Sequence, residues 1–167
     1  MFGKLLARDL GIVGVAGLLW KLAATASAGQ GPLGDLAGVV AGFGTGVCVF
    51  VVHEWGHLLG ALATGSTVTP AQTLASAFLF SFDSRSNSQR QFLAMSFGGW
   101  IASALAAGVA YTLLSPELFA ARVARGVVAL NVVLIVVIEV PLVVWALVTG
   151  RVPPVENQRR AVEASSG

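Results

Sequence analysis

The residues best suited to chemistry are His53, Glu54 and His57, in the run His53-Glu54-Trp55-Gly56-His57. They include both of the chain's histidines. On a helix, positions i and i+4 stand one turn apart on the same face, so both imidazoles reach a single metal ion. Two neutral imidazoles suit zinc, and the glutamate between them can take a proton from a metal-bound water. Two histidines, a third ligand and a water in the fourth position make a catalytic rather than a structural zinc site.

The elements that must position this motif are membrane helices. The chain has 167 residues, of which 56% are hydrophobic and 11% charged, and its mean hydropathy is +0.82. Such a composition does not coat a soluble domain, and it is opposite to that of disordered chains. One cysteine, Cys48, excludes a disulfide framework and a cysteine-based zinc site. The net charge is only +2 and the basic residues are scattered, which gives no footprint for nucleic acid. Four apolar stretches are long enough to span a bilayer, at about residues 10–28, 36–64, 92–114 and 127–149. The expected fold class is an all-α integral membrane protein, one membrane domain over 1–167 with a polar tail from 150. The first stretch reads as a retained helix rather than a signal peptide, because it is long and Lys21 interrupts it late. With four spans, Lys4, Arg8, Arg85, Arg90, Arg151, Arg159 and Arg160 share one side, against Arg122 and Arg125 on the other. The positive-inside rule then puts both termini in the cytoplasm, and the expected location is a bacterial inner membrane.

The motif within a membrane helix resembles the HExGH signature of the site-2 protease group, the M50 intramembrane zinc metalloproteases, and most of all its compact M50B-like branch. The likeness covers about residues 51–147. It implies His53 and His57 as zinc ligands, Glu54 as general base and a membrane protein or peptide as substrate. Leu58 to Gly65 is similar to the family's apolar continuation ending in a glycine turn. Phe97-Gly98-Gly99-Trp100 followed by Ile101-Ala102-Ser103 resembles its Gly-Pro-x-x-Asn segment, with Gly99 in place of Pro and Ser103 near the expected Asn. The resemblance therefore makes Gly98, Gly99 and Ser103 substrate-binding residues.

The family's third ligand is an Asp in an Asp-Gly pair, which does not occur here after the motif. Depth selects a replacement. Position 55 lies about 14 Å above the cytoplasmic end of its span and Glu139 about 15 Å above the end of the fourth. Asp83 and Glu117 fall in connectors, Glu156 and Glu163 in the tail, and Asn131 lies about 27 Å from the cytoplasm. Glu139 is also the sole charge between Val132 and Leu147, where a carboxylate needs a metal, a proton or a partner. Pro141 would kink the helix and turn that carboxylate inward. The other reading is a protonated Glu139 bonded to Lys21, Ser103 or a backbone carbonyl.

The remaining features concern packing and the substrate path. Gly38, Gly42 and Gly46, and Gly98, Ala102, Ala106 and Ala110, repeat every four residues. They read as helix-packing stripes, with a homodimer through one of them as a further option. Phe78, Phe80 and Phe82 alternate with Leu79 and Ser81, which predicts a short strand, hairpin or interfacial segment between the second and third spans. In the resembled family an edge strand here pairs with unwound substrate, so Phe78 and Phe80 are expected at the substrate path. Leu118 to Arg125 predicts a short amphipathic helix on the outer face. Two readings compete with a protease: a non-catalytic relative serving as scaffold or assembly subunit of a membrane complex, and a small transporter using His53, Glu54, His57 and Glu139 as an ion relay.

Overall fold

The computed structural model describes residues 1–27 and 31–154. Residues 28–30 of the first connector region and the tail residues Glu156, Arg159, Arg160 and Glu163 lie outside the described residues. The described elements are helices α1 (Phe2–Ser27), α2 (Pro32–Ala63), α3 (Gln89–Leu113) and α4 (Phe119–Thr149), with strands β1 (Val68–Pro70) and β2 (Phe80–Phe82) between α2 and α3. Helix α2 packs against the other three helices, and α3 also touches α4.

This is an all-α membrane fold. Helices α2, α3 and α4 are each long and apolar enough to cross a bilayer. Large apolar side chains such as Leu59, Leu105, Val137 and Val148 point outward. Asp9, His53, Glu54 and Ser103 are buried instead. Such an arrangement is stable where the surroundings are hydrocarbon and polar groups can be satisfied only inside the protein.

Glycine sets the spacing of the helices. A Cβ on Gly38, Gly42 or Gly46 would meet Phe119, Val123 and Val127 of α4 at 3.0, 2.6 and 2.2 Å. A Cβ on Gly56 or Gly60 would meet the carbonyl oxygens of Gly98 and Ala94 on α3 at 2.5 and 2.3 Å. One helix thus presents two glycine runs to two neighbours, which allows the backbones to close where apolar burial gives no drive. The α2 glycine stripe, a candidate face for a homodimer, and Gly98 of the α3 stripe are covered within the chain.

Local signals fix the ends of the elements. Pro32 opens α2, where its missing N–H costs nothing. Gly65 ends it with φ +64°, and its N–H bonds Leu62 O while that of Ser66 bonds Ala61 O, a Schellman closure. Ser88 and Gln91 form a reciprocal capping box at the start of α3. The expected separate outer helix at Leu118 to Arg125 does not exist. These residues form the first turns of an uninterrupted α4, because Ala120, Ala121 and Ala124 are buried. Ala120 and Ala124 lie against the glycine run of α2. Pro141 lies inside α4 without ending it.

The connector is a small antiparallel sheet, with Val68 opposite Phe82 and Pro70 opposite Phe80. Asn87 closes its base, accepting from Thr67 N–H at 2.7 Å and donating to the Thr67 and Asp83 carbonyls at 2.8 Å. Phe80 and Phe82 both face inward, among Leu58, Phe92, Met95 and Val143. Phe78 precedes the strand and stays exposed, edge-on to Phe50.

Candidate metal centre

The helical spacing of the motif does what the sequence requires of it. His53 Nε2 and His57 Nε2 lie 2.8 Å apart. Glu139, brought in by α4, places Oε1 2.8 Å from His53 Nε2 and 3.5 Å from His57 Nε2. The three ligand atoms converge on one point, and the group is of the size that holds a metal ion. Glu139 has neither Lys21 nor Ser103 as its partner. Its second oxygen, Oε2, accepts a 2.8 Å hydrogen bond from Trp100 Nε1–H.

The outer faces of the rings decide what the inner faces offer. His57 Nδ1 lies 2.9 Å from the Met95 carbonyl oxygen, and His53 Nδ1 lies 3.2 Å from the Gly99 carbonyl oxygen and 2.8 Å from Ser103 Oγ. A carbonyl oxygen only accepts, so the proton of each ring sits on Nδ1. In the neutral rings each Nε2 then presents a lone pair to the other and to the Glu139 carboxylate. Three electron-rich atoms at these separations need a positive charge between them, a proton or a metal ion. Ligands of a tetrahedral zinc at about 2.0–2.1 Å stand about 3.3 Å apart. The observed separations match this within about 0.5 Å, and the donor set of two imidazoles and one carboxylate is that of a three-ligand catalytic zinc site. The residues present fit the ion.

Glu54 is not one of the converging ligands. It is buried, and its Oε2 accepts from the Leu79 backbone N–H at 3.4 Å. The Gly98–Ser103 segment, expected at the substrate, packs within the chain against the motif. Gly98 lies against the backbone of Gly56, a Cβ on Gly99 would stand 2.3 Å from the His57 ring, and Ser103 is bonded to His53. These residues support the histidines from behind, because α3 packs on the motif face of α2. Phe80, also expected at the substrate path, has its ring in the core, although it borders a groove of about 370 Å³ that Phe78, Thr73 and Ser81 also line. Cys48 is half-buried and free, and Asn131 donates to the Gly46 carbonyl at 3.0 Å as a link between α4 and α2.

Two residues escaped the sequence reading. Trp100 was visible only as an aromatic with a polar handle in an apolar helix. Asp9, next to Arg8 at the head of the first apolar stretch, is buried and accepts from Trp55 Nε1–H at 2.8 Å and Arg8 Nε–H at 2.7 Å. Arg8 also donates to the carbonyls of Leu74 and Ser76, tying α1 to the segment before β2. An acid entering an apolar helix was the available signal.

Comparison with protein-family models, curated proteins and solved structures finds no match.

Proposed function

We propose that the chain is an intramembrane zinc metalloprotease of the site-2 protease kind, hydrolysing a peptide bond of a membrane protein at or near its transmembrane segment. The observation that carries this reading is the convergence of His53 Nε2, His57 Nε2 and Glu139 Oε1, with the Nδ1 atom of each ring turned away to a backbone carbonyl. In this reading α1 is a fourth span, both termini face the cytoplasm, and the catalytic depth is reached from that side. The membrane is a bacterial inner membrane.

His53, His57 and Glu139 hold the ion. When bound, zinc supplies Lewis acidity toward the scissile carbonyl and toward the attacking water. Glu54 takes the proton from that water and delivers it to the leaving amine, the general acid–base role its place between the ligands suits. The Leu79 N–H fixes one Glu54 oxygen and leaves the other for the proton. Phe78 and the groove beside β2 are where an extended substrate segment would lie, since a helical peptide bond hides its carbonyl.

The test uses purified protein in proteoliposomes with a library of transmembrane peptides. Wild type should carry one zinc per chain and cleave. His53→Ala and His57→Ala should lose the metal, and Glu54→Gln should keep it while losing activity by about 10²–10⁴-fold. Wild-type protein without stoichiometric metal would sink the proposal. Metal with no cleavage of any peptide would make the chain a non-catalytic scaffold of a membrane complex.

A further inference from the structure

Helix α3 donates no ligand to the candidate centre, yet every ligand is oriented by it. The Met95 carbonyl holds His57, the Gly99 carbonyl and Ser103 hydroxyl hold His53, and the Trp100 indole holds Glu139. Positions 95, 99 and 103 repeat every four residues, and 100 adjoins them, so one face of one helix makes all the supporting contacts. The histidine supports rest largely on backbone atoms. The Glu139 support is a side chain and can be removed alone.

We infer that Trp100 is a positioning residue that makes Glu139 a one-oxygen ligand and so keeps the fourth coordination position open; this rests on the metal reading of the site. The two carboxylate oxygens are divided between different tasks. Oε1 faces both histidine nitrogens, while Oε2 is 2.8 Å from the indole nitrogen. Indole N–H is a donor only, so it pairs with a carboxylate oxygen and never competes as an acceptor. An unrestrained carboxylate can bite a cation with both oxygens, which fills the place a water needs in a catalytic site. Tying down Oε2 prevents this. The indole is itself held, packing on the core and edge-on to Phe97 with ring centroids 5.2 Å apart. A flexible donor such as lysine would not fix the carboxylate plane in this way.

The full chain in detergent micelles, titrated with cobalt(II) and followed by its visible absorption, tests this. Trp100→Phe keeps the ring and removes the donor. The expected result is a 10–100-fold weaker cobalt affinity and a weaker visible band, as four-coordinate cobalt gains a fifth ligand atom. Trp145→Phe, at a partly exposed position on α4, should change neither. Trp100→Phe with wild-type affinity and spectrum overturns the inference. Wild type that binds no cobalt overturns the metal reading itself, a separate result. If Trp100→Phe loses its helical circular dichroism, a second measurement decides. In ¹⁵N spectra of the metal-free chain, the indole resonance that cobalt broadens most should shift upfield and exchange faster in Glu139→Ala. An unmoved resonance overturns the inference as well.

Discussion

Gly99→Ala should weaken metal binding at the centre while leaving the helices in place. A Cβ at position 99 would stand 2.3, 2.5 and 2.7 Å from three atoms of the His57 ring. Ordinary contact begins near 3.4 Å, so the ring must retreat by about 1 Å. Catalytic ligands tolerate about 0.5 Å of displacement, and metal–ligand distances about 0.2 Å. In the metal-free chain His57 can swing aside and shed most of the strain. In the loaded chain it is pinned by the ion, and the added methyl then costs about 1–3 kcal/mol, as overpacking does. That difference weakens zinc binding by about 5- to 150-fold. Gly108→Ala is the internal control, because a Cβ there meets nothing within 4 Å on the same helix. Competition with a zinc chelator gives the affinities, and thermal unfolding in excess chelator reports the fold. Gly99→Ala with the affinity of wild type would refute the reasoning, since it would mean the His57 ring is not where the metal needs it.

Asp9→Ala should destabilise the chain by about 1 kcal/mol, because the Trp55 indole and Arg8 lose their shared acceptor and intramembrane hydrogen bonds average less than in water; unfolding in mixed micelles measures this. Gly42→Ala should cost about 1–3 kcal/mol, since the new methyl would lie 2.9 Å from the Ala124 backbone nitrogen and α4 must move away. Zinc affinity should fall with it, because α4 carries Glu139. In the connector, the Ser86 hydroxyl and then the Arg85 N–H hold the Asp83 carboxyl below its usual value. A depressed folded value gives stability that is present above the unfolded carboxylate range and lost as pH falls through the folded value. The protection factors of the Arg85 and Asn87 amides, their exchange relative to an unfolded chain at the same pH, should therefore fall only in acid, and Asp83→Asn should flatten that dependence.

Much of the site could be read along the chain, since its decisive spacings are local. His53 and His57 are neighbours by helix geometry alone, and Glu139 shares their depth because a bilayer fixes how far along a span a residue sits. Gly65 as a turn and the glycine stripes as packing faces follow from backbone sterics in the same way. The sequence could not say which way each helix is turned about its axis. Small rotations decide whether Trp100 meets Glu139 or lipid, whether Ser103 touches substrate or His53, and whether Asp9 finds Trp55. They are set by glycine contacts such as Gly56 on Gly98 and Gly42 on Ala124, between residues 42 to 82 positions apart in the chain. The sequence therefore determined the residue types, their depth and their spacing within each helix. The tertiary structure decided their partners, because an azimuth is fixed only when two packed surfaces close on each other.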